Sequence, residues 1–202
     1  MDFNGLIAQV VDTLGSQVTT AQATALLPFV EARFNRIIDS PEREIEYSWT
    51  PDGTDTLPSD CWRLRDMWLA GSPDSTLRAV SPDMGRTLYG TDTGNFVAYT
   101  VTGRTLYFWP AATSTNTAVV HIRYQQTIPA LSATNVNNWL LTSYPDVYYY
   151  GLLVQCEAYI VNDERIPLWK SALEEAVGEL IAETRRLRYG ASPLVRRATV
   201  SA

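Results

Sequence analysis

Apolar residues recur along this chain at two different spacings, and the change of spacing divides it into three stretches. Phe3, Leu6, Ile7, Val10, Val11 and Leu14 fall at three- and four-residue steps, which predicts a short helix closed by Gly15-Ser16. Thr20 is placed to cap a second helix carried by Leu26, Leu27, Phe29, Val30, Phe34, Ile37 and Ile38, with Pro28 near its start and Ser40-Pro41 as its stop. Glu31, Arg33 and Arg36 read as its exposed side.

From Glu42 the period is two. Glu42, Glu44 and Glu46 alternate with Arg43, Ile45 and Tyr47 and lead into Trp49, a strand with one acidic face that ends at Pro51-Asp52-Gly53. Cys61 to Ala70 reads as a second strand, with Trp62, Leu64, Asp66 and Trp68 on one face and Arg63, Arg65, Met67 and Leu69 on the other. Leu77 to Val80 is a short strand, and Ser81 to Tyr89 a short helix capped by Ser81 with Pro82 in its first position. Phe96–Val101 and Thr105–Trp109 form a hairpin around Thr102-Gly103-Arg104, and Ala118 to Gln126 is a further strand.

Helical spacing returns between Asn137 and Tyr189. Pro145 is acceptable in a first helical turn, where its missing N–H would have no partner, and Tyr148 to Val161 then run almost without polar residues. Only Gln155 and Glu157 interrupt them, so this helix needs cover on more than one face. Asn162-Asp163 breaks the pattern, and Asp163 is placed to cap a last helix. There Trp169, Leu173, Ala176, Val177, Leu180, Ile181, Thr184 and Leu187 make one stripe, with Glu174, Glu175, Glu179 and Glu183 mostly outside it. Gly190 and Pro193 end that helix.

The expected fold is therefore α+β: N- and C-terminal helices forming a small bundle around a central antiparallel β region of about five strands. We expect one domain over residues 1–202, helical over 1–40, mainly β over 42–127, a helical hairpin over 138–190 and a tail over 191–202. With 46% apolar residues in 202, the chain can bury a proper core. It has no run of about twenty apolar residues and no basic leader, which predicts a soluble protein made in a cytoplasm. A net charge of −6 argues against gripping nucleic acid over the whole surface.

The residues of catalysis are sparse. His121 is the only histidine, and on its strand it shares a face with Val119 and Arg123, which favours a structural role over a general base. The glutamates of the last helix lack a histidine at helical spacing, and there is no glycine-rich phosphate loop, Cys/His cluster or nucleophile elbow. Cys61 and Cys156 read as small buried hydrophobes. We thus expect no catalytic residue, metal site or cofactor, and no enzyme.

Two groups remain. Trp139, Tyr144, Tyr148, Tyr149 and Tyr150 suit a core cluster, a sugar platform or a subunit interface, and three successive helical tyrosines point about 100° apart, so they cannot all serve one core. With Trp169, residues Trp139, Tyr148, Tyr149 and Tyr150 are the candidate subunit interface. After Glu183 no acid follows, while Arg185, Arg186, Arg188, Arg196 and Arg197 cluster, either complementing a helix dipole or forming a basic arm.

With these residues in hand the chain resembles the head-to-tail adaptor proteins of tailed bacteriophages, also called connector or head-completion proteins. Phe29 to Ile38 is similar to the family's second helix, Leu57-Pro58-Ser59-Asp60 with CWRLRDMWL to its turn and long strand, and Gly103 to Pro110 to its strand ending in proline. YQQTIPALS, from Tyr124, resembles the segment before the helices. The most specific piece is Asn138-Trp139-Leu140-Leu141, then Tyr144-Pro145-Asp146, Tyr150-Gly151 and Asp163-Glu164-Arg165. The resemblance implies a structural protein without catalysis, a ring of usually twelve copies beneath the portal, assembled from chains that can remain monomers until then. Double-stranded DNA would pass through its lumen without sequence-specific contact, the next tail or nozzle protein would join below, and no membrane would be involved. It would be a virion protein of the head-tail junction, present in the host cytoplasm during assembly, with Arg185, Arg186, Arg188, Arg196 and Arg197 as candidate portal-docking residues. A tail-associated carbohydrate-binding β module is the alternative, and it predicts glycan binding without a ring.

Overall fold

The N-terminal helices and the C-terminal hairpin share one core although the whole β region separates them in sequence. A computed structural model describes residues 1–15, 17–53, 55–71, 75–90, 92, 94–111, 118–160 and 164–189. Two compact units result: Met1–Glu42 with the chain from Ile128 onward, and Arg43–Thr127. The six helices and two sheets among the described residues make the expected α+β fold.

In the helical unit, α1 (Phe3–Thr13) starts on Asp2, whose carboxylate accepts the Gly5 N–H at 2.8 Å. Next, α2 (Thr20–Ile37) is capped by Thr19 rather than Thr20, through a reciprocal capping box with Gln22. Because α2 begins this early, Pro28 falls at its ninth position, inside the helix rather than near its start. Asn138 caps the one-turn α4 (Trp139–Ser143), and Pro145 opens α5 (Pro145–Tyr159) as its first residue. The unit closes with α6 (Ile166–Tyr189), whose 24 residues span about 36 Å. Asp163, Gly190 and Pro193 lie outside the described residues.

The core of this unit is continuous. Phe3, Leu6, Ile7 and Val10 from α1 meet Leu27, Val30 and Phe34 from α2, Val147, Tyr148, Leu152, Leu153 and Cys156 from α5, and Leu173, Ala176, Val177 and Leu180 from α6. Each large apolar side chain so enclosed stabilises the unit by about 1.5–3 kcal/mol. Leu187, the last member of the stripe read from sequence, is 60% exposed because α6 runs on past this core.

Where the chain enters the β unit, residues Pro41–Arg43 form a 3-10 turn, so the first strand, β1 (Glu44–Trp49), starts two residues later than the alternation predicts. It pairs antiparallel with β7 (Val120–Gln126), which pairs with β2 (Cys61–Leu69), itself joined to β3 (Ser75–Thr76). The second sheet holds β4 (Arg78–Ala79), β5 (Ala98–Thr102) and β6 (Thr105–Trp109), with β4 parallel to β5. Leu77 to Val80 is thus not one strand: the chain passes from one sheet to the other at buried Leu77, whose N–H reaches the Met67 carbonyl at 2.9 Å.

The faces of β2 also differ from strict alternation. Register shifts at Cys61/Arg63 and Leu64/Asp66 each insert a residue, so Leu64 turns to the same core as Met67 and Leu69. That core joins Val120, Ile122 and Tyr124 of the first sheet to Tyr99, Leu106 and Phe108 of the second. Between Ser81 and Gly90 lies α3 (Pro82–Tyr89), with the expected Ser81 cap and Pro82 start. It touches the second sheet at Gly85, where a Cβ would come within 2.4 Å of the Trp109 indole.

Candidate assembly surface

The middle of the helical unit is α5. Gly151 lets its backbone approach α2, since a Cβ there would lie 2.7 Å from the Phe34 ring and 2.8 Å from Val30. Val147, Leu152, Leu153 and Cys156 are buried by the same chain, so the cover that the apolar sequence demands comes from α1, α2, α4 and α6. Burial raises the Cys156 thiol to about 11, with the Glu157 charge adding to it.

Its three tyrosines do point apart, and each meets a different neighbour. Tyr148 is fully buried against Phe34, with ring centroids 5.3 Å apart and planes at 90°. Its hydroxyl accepts from Asn138 Nδ2 at 2.8 Å and donates to Glu31 Oε1 at 3.3 Å. Glu31 also accepts the Leu131 N–H at 2.8 Å, while Asn138 donates to the Pro129 carbonyl at 2.7 Å and accepts the Leu141 N–H at 2.8 Å. Four residues along α2, Asn35 accepts the Ile128 N–H at 2.8 Å. One hydrogen-bonded cluster thereby fixes the extended segment 128–138 to α2 and sets the start of α4.

Glu31, read from sequence as exposed, is therefore inside. The segment that covers it lies 100 residues away, which local periodicity does not register. Burial pushes its carboxyl above the ordinary value, offset in part by the Leu131 and Tyr148 hydrogen bonds. The Tyr148 hydroxyl is pushed well above the tyrosine range, first by burial and then by Glu31.

Tyr149 and Tyr150 are half-buried. Tyr149 shares a 2.7 Å hydrogen bond with Thr13, and Tyr150 stacks on Trp169 of α6 at 6.3 Å and 22°. The Trp169 indole donates to Glu157 Oε1 at 3.3 Å. Glu157 is fully buried, its other oxygen has no hydrogen bond, and Arg165 approaches to 4.0 Å. Trp139, also half-buried, packs against the common core. Of the five proposed interface residues Tyr148 is enclosed by its own chain, and the other four keep part of their surface open.

Sequence reading missed Glu31, Glu157 and the bridging role of Asn138. The one available signal was composition: an acid isolated in an apolar helix, as Glu157 is, must either meet solvent or find donors.

The end of α6 carries Arg185, Arg186 and Arg188. Arg188 pairs with Asp39 at 2.8 Å, and a cleft of about 320 Å³ opens between Ile37 and Asp39 on one side and Ile181, Thr184, Arg185 and Arg188 on the other. Glu179, Ala182, Glu183, Arg186 and Leu187 line a second, of about 600 Å³. Here the Tyr144 hydroxyl donates to Glu183 at 2.9 Å and is raised to about 12 by burial first and that bond second. Arg196 and Arg197 lie outside the described residues.

The β unit turns an open, polar sheet face outward. Arg123 reaches Glu46 at 2.6 Å and Asp66 at 3.8 Å, and its guanidinium lies 5.5 Å from the Trp68 ring. His121 stacks on the same indole at 5.4 Å with planes at 8°. Among the described residues no three His, Cys, Asp or Glu side chains gather as metal ligands, and no helix is long and apolar enough to cross a membrane.

A family model described as SU10 adaptor protein matches residues 1–197. The chain belongs to the SU10 adaptor family. This family is one of phage head-to-tail adaptors, which agrees with the resemblance carried by the Asn138–Leu141 and Tyr144–Asp146 motifs. As an SU10 adaptor the protein is a phage virion component of the head-tail junction. The match includes residues 71–95 and most of the C-terminal tail, where the separate motifs thin out. None of the curated proteins matches the chain.

Proposed function

We propose that this SU10 adaptor is a structural connector that assembles as a ring of twelve copies under the portal and lines the DNA channel between head and tail. The family match over residues 1–197 carries the reading. Two features support it: a helical unit that encloses its own core, and arginines gathered where α6 ends. A net charge of −6 would let DNA slide through the lumen rather than adhere to it. Trp139, Tyr149, Tyr150 and Trp169 keep open surface for a neighbouring subunit, with Tyr148 holding α5 in place. Arg196 and Arg197 reach the portal, and the lower rim receives the next tail or nozzle protein. The role is one of architecture, without catalysis.

The deciding experiment mixes the purified chain with the portal ring encoded in the same genome and images the product by negative-stain electron microscopy. Ring density added at one end of the portal is the expected result, and a portal left bare at high adaptor concentration overturns the reading. Removing residues 191–202 is expected to weaken portal binding while leaving the monomer folded. Undiminished binding by the shortened chain would remove the tail from the docking role.

A further inference from the structure

The flanks of the helical unit differ in charge. On α2, Phe29, Arg33, Arg36 and Ile37 recur at three- and four-residue steps and share one face, with Phe29 62% and Ile37 39% exposed. Ile37 lines the cleft that Arg185 borders, which extends the basic, apolar strip from α2 to the end of α6. On α6, Glu175, Glu179 and Glu183 follow at four-residue steps, with Leu168 62% exposed farther along the same side and Arg186 closing the stripe. Ile181 and Arg185 stand two residues on from Glu179 and Glu183, about 200° round the helix. The acidic stripe and the basic strip thus flank α6 on roughly opposite sides, with exposed Glu174 the one acid on the Ile181 side of α6, two turns before Ile181.

Within the subunit most of these charges are left over, Glu183 being held by the Tyr144 hydroxyl. Among the described residues Arg33, Arg36, Arg185, Glu175 and Glu179 join no ion pair, whereas Arg188, Arg123 and Arg165 each have an acid within 4.0 Å. Both flanks rest on helices of one continuous core, so each is presented in a fixed orientation.

We infer that the occupant of the basic strip is a second copy of this chain, seated through its acidic stripe. Arg33, Arg36 and Arg185 of one subunit meet Glu175 and Glu179 of the next, and Leu168 packs beside Phe29, with Ile37 near Glu179. Charge complementarity between two different flanks selects this occupant. Because the two strips lie on different flanks, the contact is heterologous, the kind that can repeat around a closed ring, whereas a two-fold contact through either flank alone would set like charges together and stop at a dimer. The inference rests on the ring reading above and supplies its lateral joint.

The test needs no portal. Chains carrying Ile37→Cys are mixed with chains carrying Glu179→Cys under mild oxidation; native Cys61 and Cys156 are buried. The mixed disulfide is expected to form on the order of tenfold faster than either like pair, a preference that high salt removes. Adding Arg33→Glu and Arg36→Glu to the first chain should abolish the preference, and adding Glu175→Arg to the second should restore part of it. Equal rates for mixed and like pairs, or faster Ile37–Ile37 linkage, would overturn the contact, as would indifference to charge reversal. If the preference holds while the wild-type chain leaves the portal bare, the portal reading falls and the lateral joint stands. Should wild type decorate the portal in complete rings and the charge-reversed chain do the same, the joint falls and the portal reading stands.

Discussion

In the helical unit the polar side chains that join distant segments lie inside, whereas in the β unit the most prominent ones lie on an open sheet face. Glu31, Asn138 and Tyr148 fasten residues 128–141 to α2 away from solvent, while Glu46, Arg123 and Asp66 form their ladder in contact with water. The same bond types have different consequences in the two places. A buried donor or acceptor stripped of its partner cannot turn to water, while an exposed one can. The helical unit should therefore resent single substitutions that the sheet face tolerates.

The sharpest probe of that contrast is Leu152→Ala. It empties a fully buried site between helices and is expected to cost about 2–5 kcal/mol in denaturant unfolding, with the spread set by how far the cavity collapses. Tyr148→Phe is the cleaner polar test. It leaves the ring against Phe34 but strips a donor from Glu31 and an acceptor from Asn138, for an expected loss of about 1–3 kcal/mol. A loss no larger than that of an exposed substitution would mean that water replaces the hydroxyl and that the cluster is less closed than its geometry indicates.

Next in size is a pH effect. The Glu31 carboxyl is raised from 4.5 in the folded chain, so its contribution to stability is complete below 4.5 and lost as pH rises through the raised value. Glu31→Gln keeps an oxygen for Leu131 and Tyr148 but has no charge to desolvate. The stability of the variant relative to wild type should therefore climb from acid toward neutral pH, and parallel curves would exclude a titrating Glu31. The smallest effect is expected on the sheet. Arg123→Ala breaks contacts to Glu46 and Asp66 and should cost about 1 kcal/mol or less, shrinking further in high salt.

Local rules made much of this legible in the sequence. The Ser81 cap with Pro82, the Pro145 start of α5, the α6 stripe as far as Thr184 and the hairpin around Gly103 depend on residues within a few positions of one another. Gly103 takes a φ of +64°, which a turn between β5 and β6 readily uses. What escaped depends on distance or on an inserted residue. The covering of Glu31 comes from a segment 100 residues away, and the bulges of β2 shift Leu64 to the core without altering composition. Pro28 misleads because a proline within a well-packed helix costs stability without forbidding the helix.

The candidate surface was legible only in part. Clustering of arginines after Glu183 is visible in the sequence, but the joining of Arg33 and Arg36 to that cluster requires the α2 and α6 ends to meet across the fold. Conversely, three tyrosines in a row suggest an outward role that Tyr148 does not have.

Because α5 is wrapped by its own chain, closing its core and meeting any partner become separable events. The helical unit can close its core without company from a second chain.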